Sequence, residues 1–357
     1  MVSREKNSIE ISKSELCALH LLKFGAFGGE ERLKNGKNFA FVAGKFRPGA
    51  EVNLICNGEI CGKLKIISSQ KITDEEKQNS VFENKRPGNE AIKGELSLNS
   101  RIIGDEFAEF FARKSSFKNP RISAFFTMAD PLHRVHERLL RLMIDKADFV
   151  VIFLVGSSRS DAFSANLRKK TLEFLCENFL VKGRVLLIDL NDFSALNNHS
   201  DPTLECAIAH NLGINKVVFG QKHKHVAGYF DHGDMHSVLD FCDYENFEIW
   251  LMPEYVYCNK CKVLSSVKNC PHGSHHHVHY HTRNLKAMLY AGILPPALFM
   301  RKEISAMILA ELFPNRFADL QALYDDLFPN DGLIEPRSES EFYEELMRLY
   351  QTSALKT

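Results

Sequence analysis

The hydrophobic pattern changes character along the chain. Residues 1 to about 112 show no long helical period and offer short β-type runs: Phe39-Ala40-Phe41-Val42, Val52-Asn53-Leu54-Ile55 and Lys63-Leu64-Lys65-Ile66-Ile67. Asn57-Gly58 lies between the last two at a separation suited to a hairpin. The stretch from Thr73 to Lys93 is polar, carries Pro87-Gly88 and reads as a loop. From about 115 to 250, apolar runs at 122–126, 149–155, 185–190 and 216–219 alternate with helical stretches around 134–146, 162–180 and 203–212. Such alternation predicts a parallel sheet with helices on both faces, and ligands in these sheets sit at the carboxyl ends of strands. From about 298 onward the chain reads as helical, broken at Phe313-Pro314 and Phe328-Pro329-Asn330-Asp331-Gly332. The last helix, 339–350, is amphipathic and reads as a packing or dimer element. The domains expected are 1–114, mostly β; 115–250, α/β; 251–310, a metal-binding region; and 311–357, a helical tail.

The candidate chemistry begins right after the first strand of the α/β region. Thr127-Met128-Ala129-Asp130-Pro131-Leu132-His133-Arg134-Val135-His136-Glu137 runs from that strand into a helix patterned by Val135, Leu139, Leu142 and Met143. Pro131 suits the turn, and His133 and His136 fall one helical turn apart. A helix start offers free backbone N–H groups and the positive end of its dipole, a setting for phosphate. A histidine pair on a solvated helix fits the same spacing. Gly220-Gln221-Lys222-His223-Lys224-His225 also follows a strand directly, so the two segments are placed to share a site.

Composition narrows the classes. The chain has 357 residues, 45% hydrophobic and 25% charged, a globular profile long enough for two or three domains. Its 45 basic and 45 acidic residues give no global field toward nucleic acid or acidic membrane, and no basic–aromatic stripe marks an RNA surface. No apolar run approaches the roughly 18 residues of a membrane span. The polar start Met1-Val2-Ser3-Arg4-Glu5-Lys6 lacks the apolar core of a signal peptide, so a cytoplasmic location is expected. Nine cysteines, three of them clustered with histidines, favour metal binding over a disulfide framework in that compartment.

That cluster is Cys258-x2-Cys261-x8-Cys270-Pro271-His272, followed by His275, His276, His277, His279 and His281. Three thiols and one imidazole at this spacing make a closed, four-coordinate structural zinc site. His275 is the first choice for the fourth ligand, with His272 and His276 in reserve. Buried free thiols or a redox CxxC are the alternatives.

Several motifs resemble the sulfate adenylyltransferase (ATP sulfurylase) family, in its zinc-containing bacterial and archaeal branch. Residues 257–273 resemble its "FYCxxCxxMxSxKxCPHG". Met288-Leu289 through Gly292, Pro295-Pro296, Phe299, Arg301 and Glu303 resembles its "MLxxGxxPPxxFxRPE". Residues 131–137 resemble the end of its "QTRNPxHRAHE". The order and separations agree from about residue 30 to 305.

The resemblance implies an α/β fold: a Rossmann-like (HIGH-type nucleotidyltransferase) parallel sheet, an N-terminal PUA-like β domain, and a small zinc-bearing C-terminal part plus helical tail. It implies AMP transfer from MgATP to sulfate, with His133, His136, Thr127 and Asp130 catalytic. Pro131, Gly220, Gln221, Lys222 and His223 would bind nucleotide, and Cys258, Cys261, Cys270 and His275 the zinc. Its partners would be ATP and an anionic acceptor. Departures concentrate where substrate is held: "QTRN" becomes Thr127-Met128-Ala129-Asp130, "GRDHAG" becomes Gly220-Gln221-Lys222-His223, and "GPREALxHA" is echoed only by Asp201-Pro202-Thr203. Each loses an arginine. Lys222, Lys224, His225, Arg283 and Lys286 are the candidate replacements. A phosphonate or carboxylate acceptor is the alternative for the same scaffold, and a nucleotide- or RNA-binding member without catalysis is the third reading.

Overall fold

The computed structural model describes residues 7–28, 37–99, 104–220, 229–231, 234–236, 242–328 and 335–350. They group into two units, each discontinuous in sequence. The first holds residues 1–128, 143–160 and 183–252; the second holds 129–142, 161–182 and 253–357.

The first unit opens with β1 (Ser8–Glu10), α1 (Lys13–Lys23), β2 (Phe41–Val42), β3 (Glu51–Cys56), β4 (Glu59–Lys71), a short α2 (Asp74–Gln78) and β5 (Glu90–Leu98), in a sheet ordered β1-β3-β4-β5-β2. The expected hairpin is present. β3 and β4 pair antiparallel around Asn57 and Gly58, whose φ angles of +53° and +84° are those a two-residue turn between twisted strands demands.

Helix α1 is not legible as a helix in the sequence pattern, and burial explains why. Eight consecutive residues, Ser14 to Leu21, are buried, so no polar face marks a 3.6-residue period. Local chemistry starts it: Ser12 and Glu15 form a reciprocal capping box. Glu15 also takes a two-pronged ion pair from Arg86, at 2.6 and 2.7 Å. The Thr73–Lys93 stretch, expected as loop, holds α2 and the first residues of β5; Thr73 and Glu76 cap α2 in the same reciprocal way.

Helix α3 (Gly104–Ser115) falls in the stretch read as having no long helical period; after it the α/β part follows the predicted alternation: β6 (Ile122–Thr127), α4 (Arg134–Ile144), β7 (Phe149–Val155), α5 (Ala165–Phe179), β8 (Val185–Leu190), α6 (Pro202–Asn211) and β9 (Lys216–Gly220). A small hairpin of β10 (Tyr229–Asp231) and β11 (Asp234–His236) precedes β12 (Glu248–Met252). Strands order as β12-β9-β6-β7-β8, every pair parallel. The order reverses between β6 and β9, which is the switch point where such sheets take ligands. Thr127 ends β6 and Gly220 ends β9, so both lie at the carboxyl edge there. All seven residues of the inner strand β7 are buried, which its unbroken apolar run requires. Within this unit the N-terminal sheet and the parallel sheet share one apolar core, running from Leu16 and Leu54 to Phe153 and Val217.

The second unit takes residues 134–142 of α4 together with α5. It adds a three-stranded antiparallel sheet of β13 (Tyr255–Cys258), β14 (Val263–Ser266) and β15 (His277–His279), with β13 central. Four helices complete it: α7 (Thr282–Tyr290), α8 (Lys302–Leu312), α9 (Leu320–Leu327) and α10 (Glu339–Tyr350). Helix α10 packs on α8, and Phe342 meets Phe317, Tyr324 and Phe328 edge-on or tilted. The tail thus buries its apolar stripe within its own unit. No helix among the described residues is long and apolar enough to cross a membrane.

Candidate functional site

The segment between β6 and α4 is held by a buried ion pair. Asp130 and Lys286 meet at 2.8 Å, with side chains 3% and 4% exposed. Asp130 also accepts the Phe163 backbone N–H at 3.0 Å, and the Lys286 ammonium reaches Asp161 at 3.4 Å. Two carboxylates around one ammonium offset its desolvation, while losing either main partner leaves a buried charge. Lys286, a candidate replacement for a missing arginine, is therefore committed to protein carboxylates. Before Asp130, Ala129 adopts φ +48°, a conformation side chains rarely take, and the Asp130–Pro131 peptide is cis.

Helix α4 then begins with the two histidines together. Their ring centroids lie 3.9 Å apart, tilted by 40°. The His133 backbone N–H donates to His136 Nδ1 at 3.1 Å, so that nitrogen is unprotonated and the neutral ring carries its proton on Nε2. Burial holds His133 well below the usual imidazole range; the neighbouring His136 adds to this, and a backbone hydrogen bond opposes it only in part. Tyr280 packs against His133 with centroids 5.6 Å apart.

One expectation needs correction. The helix start does not present His133 and Arg134 N–H groups to a ligand: His136 takes the first, and the carbonyl of Phe299 takes the second at 2.8 Å. Donation from this turn is left to the Val135 N–H and the imidazole rings.

On another face of α4, Glu137 gathers three arginines. Arg301 donates two hydrogen bonds at 2.7 and 2.9 Å, Arg141 two at 2.9 and 3.1 Å, and Arg134 one at 3.2 Å. Burial pushes the Glu137 carboxyl upward, yet the Arg301 and Arg141 bonds outweigh it and hold the group below its usual range. Arg301 also stacks over Phe179 at 3.5 Å. Two segments far apart in sequence, 131–137 and 288–303, are thereby joined. The motifs contain both residues, but spacing carries no sign of their pairing.

The cysteine cluster is assembled at the edge of the small sheet. One ligand atom each from Cys258, Cys261, Cys270 and His272 lies within 4.8 Å of the others. His272 Nδ1 is 3.5, 3.1 and 3.9 Å from the three sulfurs in chain order. Backbone hydrogen bonds, that from Cys261 foremost, pull the Cys258 thiol down to about 6, while burial and the neighbouring thiols push Cys261 up to about 11. The donor set suits a tetrahedral soft-metal site.

His275, expected as the fourth member, is not in this group. Pairing of Cys258 with His277 in β15 places His275 and His276 in the 3-10 turn that enters the strand. Their rings pack on each other, centroids 4.1 Å apart. His272, only two residues after Cys270, takes the place instead.

Of the remaining expected residues, Pro131 is buried in the turn, Thr127 is buried at the end of β6, and Gly220 is exposed at the end of β9. Gln221, Lys222 and His223 lie outside the described residues, as do Lys224 and His225.

The ATP-sulfurylase family model matches residues 105–311. The chain is similar to the sulfate adenylyltransferase of Persephonella marina, 27% identical over 236 residues, covering 63% of this chain and 61% of that protein. It is also similar to that of Carboxydothermus hydrogenoformans, 25% identical over 272 residues and covering 71% of each. Against the first, the match spans about three fifths of the relative's length. Among solved structures, a hexameric APS kinase from Thiobacillus denitrificans superposes with a TM-score of 0.58 at 15% identity, covering 88% of this chain and 64% of that one. At that identity the likeness speaks for the fold. With more than half its length matched by the family model, the chain belongs to the ATP-sulfurylase family.

Proposed function

We propose that this chain is a nucleotidyltransferase of the sulfate adenylyltransferase type, moving AMP from ATP to sulfate and releasing pyrophosphate. The observation that carries the reading is the paired, neutral His133 and His136 at the start of α4, inside the family match. In this reading a sulfate oxygen attacks the α-phosphorus and the bond to the bridging oxygen breaks. The protein's part is positioning and stabilising charge on the leaving pyrophosphate. His136 offers Nε2–H to a phosphate oxygen, and His133 packs beside it as a second imidazole. Their neutrality avoids the cost of burying cations before substrate arrives.

Thr127, at the carboxyl end of β6, contributes its hydroxyl as the chain leaves the sheet. Asp130 acts through Lys286, fixing the turn that carries Pro131 and the histidines. Gly220, which ends β9, is the proposed start of a nucleotide-binding stretch that continues in sequence through Gln221, Lys222 and His223. Mg²⁺, entering with ATP, supplies charge neutralisation along the phosphates. The chain divides in this reading into a PUA-like domain (1–114), a Rossmann-like catalytic domain (115–250), a zinc region (251–310) and a helical tail (311–357). Cys258, Cys261, Cys270 and His272 hold a structural zinc that fixes β13 to the loop after β14. The location is cytoplasmic.

A second reading keeps the reaction and changes the acceptor to a phosphonate or carboxylate. The sequence Thr127-Met128-Ala129-Asp130 favours it, because the arginine of the family pattern is gone and Lys286 is bound to Asp130 and Asp161. Each missing oxyanion partner costs on the order of 10²–10³ in rate on the original acceptor. Pyrophosphate release from ATP, measured with sulfate and with a panel of phosphonates and carboxylates, tests both. Sulfate-dependent release above a His133→Ala control supports the first; release only with another acid supports the second. No release with any acceptor rejects catalysis and leaves a nucleotide-binding member.

A further inference from the structure

The Glu137 network faces a second cleft that neither histidine lines. A cavity of about 280 Å³ in the second unit is lined by Arg134, Arg138, Arg141 and Lys262, with Glu137 the sole carboxylate of its lining. That carboxylate is already engaged by Arg301, Arg141 and Arg134. Lys262 donates to Asn259, a neutral partner, at 2.7 Å. Arg138 is exposed and has no ion pair or hydrogen bond among the described residues. Four cations around one shared carboxylate leave a positive excess that nothing in the lining offsets.

The rest of the lining is an apolar wall: Tyr257, Tyr280, Val263, Leu264 and Leu298. A free inorganic anion would use the cations and ignore this wall. A ligand with a flat apolar body and a phosphate, sulfate or carboxylate head uses both, because rings pack on tyrosine faces while guanidinium groups grip the oxyanion. The cleft adjoins the histidine turn, which contains Arg134, but neither histidine lines it. Arg138 is two residues beyond His136, about 200° around α4, so the two side chains leave opposite sides of the helix. Tyr280 lies between them, packing on His133 and lining the cleft.

We propose that this cleft is a second binding site, specific for small molecules that join a flat apolar ring system to a strongly anionic head. The site does not depend on the function proposed above: of its four cations only Arg134 lies in the turn that carries the histidines, and its guanidinium is bound to Glu137 and the Ala297 carbonyl.

The test uses 4-methylumbelliferyl phosphate as a fluorescent probe on the full chain, with uncharged 4-methylumbelliferone and inorganic phosphate as the two half-ligands. Saturable binding is expected for the phosphate ester, at least tenfold tighter than for either half. Arg138→Gln should weaken it several-fold and Arg138→Glu at least tenfold, with His136→Ala within twofold of the parent. Arg138 makes no internal bond, so these variants are expected to fold, and Lys262→Gln gives an independent loss of one cation. Absence of saturable binding overturns the proposal. Binding insensitive to Arg138→Glu does the same, as does binding lost in His136→Ala, which would place the probe at the histidine turn.

Discussion

Two clusters in the second unit rest on histidine and use it in opposite senses. In the cysteine cluster, His272 Nδ1 faces three sulfurs, and backbone N–H groups already favour a thiolate on Cys258. That is a nest of lone pairs awaiting a cation. At the start of α4, His136 Nδ1 accepts a backbone N–H and burial keeps His133 neutral, so the proposed function has the pair meet an anion through ring N–H groups. The residue type does not set the role; the partner of Nδ1 and the depth of burial do. The first cluster is complete in its donors. The second has the two imidazoles but not the arginines that the family motifs carry at Thr127–Asp130 and Gly220–His223.

The strongest way to break this comparison is to remove the cation from the first cluster. Purified protein is expected to carry about one zinc per chain. Cys258→Ser or strong chelation should release it, with local unfolding of β13–β15, since closed thiolate sites are worth on the order of 10 kcal/mol. Metal analysis and hydrogen exchange over 255–279 read this out. Zinc far below one equivalent in freshly prepared, chelator-free protein contradicts it.

Next in size is the ionic frame around α4. Glu137→Ala leaves three arginines without their carboxylate and should cost about 3–5 kcal/mol in denaturant unfolding. Asp130→Ala should fall in the same range. Asp130→Ala combined with Lys286→Met should cost less than the sum of the two single changes, because the double variant strands no buried ammonium. Full additivity in that cycle would mean the pair contributes nothing as a pair.

The smallest effect separates the two histidine roles by pH. His133 titrates lower in the fold than in the unfolded chain, where imidazole has a pKa of about 6.5. Above that value both states are neutral and it adds no pH dependence. As pH falls below it the unfolded chain takes the proton first, so stability is lost at up to about 1.4 kcal/mol per pH unit until the folded-state value is reached. His133→Asn should flatten that slope below about pH 6.5, measured as unfolding free energy against pH. An unchanged slope would show that His133 is not held neutral.

Much of the architecture is legible in the amino-acid sequence. The parallel strands follow from unbroken apolar runs such as Phe149 to Val155, and the hairpin from Asn57-Gly58, both signals local in sequence. Helix α1 escapes because burial on all sides erases its period. The Glu137–Arg301 and Asp130–Lys286 pairs escape because nothing in a single sequence couples residues more than 150 positions apart. The choice of His272 over His275 depends on the register of β15 against β13, a property of the sheet rather than of spacing. Two of the free N–H groups expected at α4 are lost, to the ring of His136 and to the carbonyl of Phe299, the second again a distant partner.

In the proposed function, nucleotide phosphate rests against His133 and His136. Calorimetric titration of a nonhydrolysable ATP analogue with Mg²⁺ into the parent chain and into His136→Ala tests it most directly. Saturable heat in the parent, reduced at least tenfold in affinity in the variant at equal folding stability, is the predicted result. Equal affinity in both proteins, or no heat in either, would contradict it.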